Sequence, residues 1–420
     1  MHTQLSKMDV IYNRAQITII AGCGDGPEYG LPGVTNKPRQ WQKTVDIGKH
    51  KIFVVPPDLH LLAVQSSWMT RAWTFQEAIF SRRRLIFTDQ QVFLDCEEYC
   101  FLETILTERQ SDADIPNNEM WTSFGTFHFA HLASGLLCLD DIGRLIEEYA
   151  NRKLTHQSDI LKGILGIFGA FEARFANLEF TNYWGLPLLP YAQFRNLTDY
   201  ENYKWRTGLL YSFRWHSTVP CDRRLDFLSW SWVGWKGQTS YALFKDWTAD
   251  PTVTVKIEMK RDDRVWQESF DDFMSVKASM KFLTPTLIVD AWTLKLRFVH
   301  LPNGPPKSWI LGSIFNRGGG YYVQTRLEPV EFAPLALDLR MDPNETSRLT
   351  DEEWECVVIG FDDGVSDLVG HSVVMVCGWD GDIARRIGLV CLNRTVESSG
   401  AWRTPKIPLT KTWKTGIRIM

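Results

Sequence analysis

Trp73, Gln76, Glu77 and Phe80 recur at i, i+3, i+4 and i+7, the spacing of one helical face. A carboxylate placed between two aromatic rings and beside an amide is an unusual group to set near a core, and it is the first place to look for chemistry. The stretch from Ser66 to Cys96, SSWMTRAWTFQEAIFSRRRLIFTDQQVFLDC, therefore holds the first candidate site. The competing reading is a solvated helix whose carboxylate pairs with Arg82, Arg83 or Arg84 at a solvated helix end.

Holding these residues requires a helix from Thr70 to about Arg82, with Trp68, Ala72, Phe75 and Ile79 as its core-facing stripe. RLIFT (84–88) and VFLDC (92–96) follow as strands around the hairpin-length gap Asp89-Gln90-Gln91. Upstream, QLSKMDVIYNRAQ (4–16) carries Leu5, Met8, Ile11, Tyr12 and Ala15 at helical spacing. ITIIA (17–21) reads as a buried strand and GCGDGPEYGLPG (22–33) as a glycine-rich loop. Helix, strand and glycine loop in that order belong to an α/β sheet, where ligands bind beyond the carboxyl ends of strands. Gly22, Asp25 and Gly26 would lie there, although Asp25 also suits a simple turn. KIFVV (51–55) is a further strand.

Beyond residue 96 the segment 97–110 reads as helical, 111–118 as a polar linker and 119–176 as helical, with Ser158 and Asp159 as N-caps. LDFLSWSWVGWKG alternates as a strand with Leu228, Trp230 and Trp232 on one face. From 250 onward the period is two, as in VTVKIEMK (253–260), SWILGSIF (308–315) and WECVVIGF (354–361), which points to an antiparallel β-rich region.

The net charge of −4 gives no electrostatic argument for nucleic acid or an anionic membrane. The 8 scattered cysteines read as free thiols of a reducing compartment. No apolar run is long enough to span a bilayer and MHTQLSKMDV lacks a signal-peptide core, so a cytoplasmic protein is expected. The 18 tryptophans are spread along the chain as a packing habit. Trp230, Trp232 and Trp235 suit a core better than a sugar-binding platform. GCGDG is followed by Leu31-Pro32-Gly33 rather than by a helix, so it is no dinucleotide fingerprint. Cys96 and Cys100 with His128 and His131 match no metal-site spacing, so neither metal nor cofactor is expected.

Several stretches together resemble the fungal heterokaryon-incompatibility (HET) domain family. MDVIYNRAQITIIAGCGDGPEYGLPGV is similar to that family's helix, strand and Gly-Leu-Pro-Gly loop. WMTRAWTFQEAIFSRRRLIFTDQQVFLDC resembles its signature Arg-Gly-Trp-Thr-x-Gln-Glu followed by Leu-Ser-x-Arg, with Ala72 at the glycine position and Phe80 before Ser81. RKLTHQSDILKGILGIF, RRLDFLSWSWVGWKG and RRIGLV look like pieces that recur in long family members. Family members usually begin with a strand and an Ile/Leu-Asp-x-Leu-Cys-Ile-Asn/Asp-Gln segment, so the resemblance implies a domain truncated at its N-terminus.

The resemblance implies a TIR-like, flavodoxin-like partial α/β domain over 1–110, a helical and Trp-rich extension over 111–240 and a β-rich C-terminal domain over 241–420. It implies an effector of non-self recognition and programmed cell death. Trp73-Thr74-Phe75-Gln76-Glu77 fits the Trp-x-x-x-Glu string of those TIR domains that cleave NAD. NAD is then a substrate rather than a cofactor. Nicotinamide leaves a cationic pyridinium as a neutral molecule, so no general acid is needed, and one carboxylate can stabilise the oxocarbenium charge. Glu77 would take that role, Trp73 would stack on the nicotinamide, Arg71 would meet a phosphate, and the N–H groups of Gly22 to Gly26 would meet the pyrophosphate. The alternative is a non-enzymatic module that self-associates and meets an allelic or signalling partner, or an inactive remnant of the same family.

Overall fold

A computed structural model of the chain describes residues 7–34, 36–40, 42–54, 62, 66–96, 100–103, 139–176, 179–189, 205–241, 247–250, 252–261, 264–276, 283–303, 320–327, 330–362, 369–396, 402–403 and 412–420. The expected linker 111–118, the strand 308–315, His128 and His131 lie outside them. The chain divides into two units, 1–137 with 151–174, and 138–150 with 175–420. The expected three-part division, with bounds at 110 and 240, cuts the chain elsewhere.

The first unit begins with α1 (Met8–Arg14), β1 (Thr18–Ala21), and a hairpin of β2 (Thr44–Ile47) and β3 (His50–Phe53). It continues through α2 (Ser67–Thr70), α3 (Trp73–Phe80), β4 (Arg83–Phe87), β5 (Val92–Cys96) and β6 (Cys100–Leu102). α4 (Leu139–Ala150) belongs to the second unit and α5 (Lys162–Arg174) returns to the first. The sheet order is β1-β4-β5-β6, with β1 parallel to β4 and the other pairs antiparallel. Ile20, Ile86 and Phe93 form its buried apolar centre, with Leu62, Trp68 and Met69 packed against them.

The strand read at 51–55 is present as β3; Gly48 adopts φ +62 in a two-residue turn, so β3 pairs with β2, and Val55 lies outside the described residues. Such local pairing closes the shortest loop. Part of 97–110 is not helix, since Cys100–Leu102 pairs with β5, while 104–110 lies outside the described residues. Ser158 and Asp159 sit in a single 3-10 turn, Gln157–Asp159, ahead of α5 rather than capping it. Arg84 is no part of a solvated helix end. It lies on β4 directly opposite Asp95, and the two fully buried side chains form an ion pair of 2.7 Å. The same guanidinium donates to the Ala78 carbonyl at 3.3 Å, fastening α3 to the sheet.

The expected helix 70–82 is divided. Ser66 caps α2 by accepting from the Met69 N–H at 3.1 Å, and the chain is extended at Arg71, with φ −86 and ψ 137. Lys153 takes up the released groups: Ala72 N–H donates to its carbonyl at 2.9 Å and its N–H donates to Thr70 at 2.5 Å. The Thr74 hydroxyl bonds the carbonyls of Trp68 and Arg71, the local competition with helix that threonine provides.

The second unit is a large β structure. Its elements are β7 (Thr181–Tyr183), β8 (Leu186–Leu188), α6 (Trp205–Ser212), β9 (His216–Ser217), β10 (Thr239–Ser240), β11 (Trp247–Ala249), β12 (Thr254–Arg261), β13 (Arg264–Ser269), α7 (Phe270–Val276), β14 (Leu283–Leu296) and β15 (Val299–His300). There follow β16 (Tyr321–Leu327), β17 (Val330–Leu337), α8 (Pro343–Asp351), β18 (Trp354–Asp362), β19 (Val369–Asp380), β20 (Ile383–Val396), β21 (Trp402–Arg403) and β22 (Thr412–Ile419). The main sheet runs β13-β12-β14-β18-β19-β20-β17-β16-β15. β22 pairs with both β14 and β20, closing a circuit of strands around a core that includes Leu294, Val358, Val374 and Val390. The period of two read from 250 onward corresponds to these strands.

The stretch 228–235 does not form the expected strand. Trp232–Gly234 make one 3-10 turn, and Trp230, Trp232 and Trp235 are buried core residues. The indoles of Trp232 and Trp235 donate to the carbonyls of Gly185 at 2.7 Å and Ser229 at 2.8 Å. Arg223 donates to the carbonyls of Phe227, Leu228 and Gly234. Irregular backbone can be buried here because side chains satisfy it. Among the described residues no helix is long and apolar enough to cross a membrane.

Removing one partner of a buried ion pair strands the other. Arg84→Met is expected to destabilise the full chain by about 3–5 kcal/mol in urea denaturation, and the pair Arg84→Met/Asp95→Leu to recover most of that loss.

Candidate functional site

Glu77 lies at the middle of α3 and is half-buried. Trp68 Nε1 donates to its Oε2 at 3.3 Å, and the Tyr12 phenol of α1 donates to the same carboxylate. Burial pushes the carboxyl above its ordinary value, against the pull of the Trp68 indole, the Arg71 charge and the Tyr12 phenol. Burial and the Glu77 charge in turn push the Tyr12 phenol up to about 12. A carboxyl raised by desolvation and held by two donors can accept a hydroxyl or stabilise a developing cation.

The residues around it are arranged differently from the expected stripe. Phe80 is buried and Trp73 half-buried, but the rings whose polar atoms reach the carboxylate are those of Trp68 and Tyr12. The reason is the break at Arg71. It takes Trp68 off the helical row that continues through Phe75 and Ile79, both of which are in the core. Arg71 keeps an exposed side chain close enough for its charge to act on Glu77. Gln76 is buried: its Nε2 donates to the Gly163 carbonyl at 2.7 Å, and its Oε1 lies where a Cβ on Gly166 would stand. Gln76 thus joins α3 to α5 instead of flanking the carboxylate. Arg152 completes the frame, stacking on Phe75 at 4.6 Å and reaching Met69.

The glycine loop is built against the ends of β1 and β4. Gly22 N–H donates to the Phe87 carbonyl at 2.8 Å, extending the parallel ladder by one residue, so that this N–H is already engaged. A Cβ at Gly22 would stand 2.8 Å from Ile86 and 3.1 Å from the Phe87 carbonyl, which accounts for glycine there. Gly26 faces open space and its carbonyl accepts from Tyr29 N–H at 3.1 Å; Asp25 is exposed. The Tyr29 phenol donates to Asp89 at 2.6 Å and Lys37 lies over the Tyr29 ring. Burial and Asp89 push the Cys23 thiol up to about 11, which keeps it a thiol. The contacts of Gly22 and Gly26 are with Ile86, Phe87 and Tyr29, and those of Glu77 are with Trp68, Tyr12 and Arg71.

Reading the sequence passed over Tyr12 as a site residue and read Trp68 only as core-facing; Trp68 packs against the sheet core and also donates to Glu77. The available signal was a phenol among the apolar positions of α1, a side chain that is apolar in body and polar at its tip. Nothing local indicated Lys153 or Arg152, which meet residues 69–72 from about eighty positions along the chain.

The family model described as heterokaryon incompatibility protein (HET) matches residues 1–77, a span that ends on Glu77. Comparison with curated proteins and with solved structures found no match.

The folded-state pKa of Glu77 lies above its ordinary value. Its contribution to stability is therefore complete below the unfolded value and is lost as pH rises through the folded one. Tyr12→Phe removes a donor that opposes the rise, so the Glu77 carboxyl is expected to titrate still higher, as read by carboxyl carbon NMR. Gly22→Ala is expected to destabilise the protein by about 1–3 kcal/mol through overpacking, and Gly26→Ala by less than about 0.5 kcal/mol, in thermal denaturation.

Proposed function

We propose that the protein is a fungal effector of heterokaryon incompatibility, acting in non-self recognition and programmed cell death through the region that contains Glu77. The observation that carries this reading is the family match over residues 1–77. The proposed chemistry is cleavage of NAD at the nicotinamide–ribose bond within a TIR-like domain, in the cytoplasm. Its support is a half-buried carboxylate of raised pKa on a helix bearing Trp73-Thr74-Phe75-Gln76-Glu77. The ionised carboxylate faces the ribose and stabilises positive charge as neutral nicotinamide departs. Trp73 and Arg71 are half-buried and exposed, which leaves them open to ring and phosphate contacts.

A second reading has its own observation. Gly22 N–H already bonds Phe87, and Glu77 already has two donors, one of which ties α1 to α3. In that reading Glu77 is structural and the domain acts by self-association with an allelic or signalling partner.

Nicotinamide release from NAD by the purified full chain separates the two. Release that falls by at least about 100-fold in Glu77→Gln supports the enzymatic reading. Its acid limb should lie above the ordinary range for a glutamate, because the active form is the ionised one. Release unchanged by the substitution removes Glu77 from catalysis. No release, with concentration-dependent assembly, assigns the signalling module.

A further inference from the structure

Among the described residues the hairpin β2–β3 pairs with no other strand, and every residue from 43 to 54 is exposed. In its register Val45 pairs with Ile52 and Ile47 with His50, which places all four on one face. Val54 N–H donates to the Lys43 carbonyl, so that pair continues the same face. Val45, Ile47, Ile52 and Val54 are 60%, 58%, 52% and 61% exposed. Four branched aliphatic residues together on a two-stranded ribbon cannot be stabilising the fold while they face water.

The charge around them identifies an occupant. Residues 43–54 contain Lys43, Lys49 and Lys51 against Asp46 alone, a basic segment in a chain whose net charge is −4. Lys49 stands at the tip of the turn beside Gly48. Lys43 lies on the aliphatic face and Lys49 at its tip, while Lys51 pairs with Asp46 on the opposite face. An aliphatic face with a lysine at each end is the composition that settles at the headgroup boundary of a negatively charged bilayer. The same lysines disfavour a second copy of the chain, since pairing two hairpins brings like charges together.

We propose that the β2–β3 hairpin is a docking element for the surface of an anionic phospholipid membrane, with Ile47, Ile52, Val45 and Val54 entering the interface and Lys43 and Lys49 meeting the headgroups. This goes beyond the proposed effector activity and does not depend on it.

The test is co-sedimentation of the full chain with phosphatidylcholine vesicles, with and without about a third phosphatidylserine. Binding to the anionic vesicles at least about tenfold tighter than to the neutral ones, and weakened by salt, is expected. Lys43→Glu/Lys49→Glu and, separately, Ile47→Ser/Ile52→Ser should each lower that binding by about tenfold or more. All four side chains are exposed, and an unchanged circular dichroism spectrum confirms that each variant folds. Absence of binding by the wild type overturns the proposal, as does binding that both variants retain. A concentration-dependent dimer in sedimentation velocity that Ile47→Ser/Ile52→Ser dissolves, without anionic-vesicle binding, assigns the face to a second copy and also overturns it.

Discussion

Arg386 and Asp338 form an ion pair of 2.8 Å with no solvent exposure on either side, and the second unit is assembled around it. A charge withdrawn from water must be met in all its hydrogen-bonding directions or the fold does not hold. The Arg386 guanidinium meets Asp338, the Phe213 carbonyl at 2.6 Å and the Trp215 carbonyl, and lies over the Trp215 ring at 3.8 Å. Asp338 in turn accepts from the Ser217 N–H at 2.7 Å. Burial drives its carboxyl upward, and Arg386 and Ser217 hold it down. One pair thereby connects β20, the end of β17 and the aromatic segment 213–217, which are far apart in sequence.

The first unit obeys the same constraint on a smaller scale. Arg84 and Asp95 join neighbouring strands and reach up to the last turn of α3. Gln76 reaches across to α5. Glu77 is the carboxylate on that helix left at an intermediate depth, with its donors supplied by an indole and a phenol instead of a guanidinium in direct contact. Burial raises the Glu77 carboxyl, and Trp68 and Tyr12 only partly oppose it. Asp95, by contrast, binds the Arg84 guanidinium directly and joins neighbouring strands.

The tryptophans are explained by packing and donor satisfaction. Trp215, Trp230, Trp232 and Trp235 are among the largest fully buried side chains, and three of their indole donors end on carbonyls of irregular backbone. Tyr183 stacks on Trp230 at 5.7 Å and Tyr149 meets Trp232 edge-on at 6.1 Å. The alternating pattern of 228–235 imitated a strand, but serines and tryptophans alike are buried there, around a turn whose carbonyls are met by Arg223 and Arg224. Alternation of apolar and polar residues is silent about what satisfies the side chains and the peptide groups.

By itself the sequence determined the local elements and the residue of interest. Period-two runs became the strands beyond 250, ITIIA became β1, the glycine loop followed it, and the Trp-Thr-Phe-Gln-Glu string put Glu77 on a helix. These depend on side-chain spacing over a few residues, which the chain carries everywhere it goes. Tertiary structure alone decided that the helix breaks at Arg71, because the groups that compensate the break belong to Lys153. It decided that Arg84 is buried, because Asp95 stands opposite it across a hairpin. It decided that Tyr12 and Trp68, rather than Trp73 and Phe80, hold the Glu77 carboxylate. Each of these turns on whether a polar group finds a partner distant in sequence, and the free energy of an unpartnered buried group is large enough to override the local pattern.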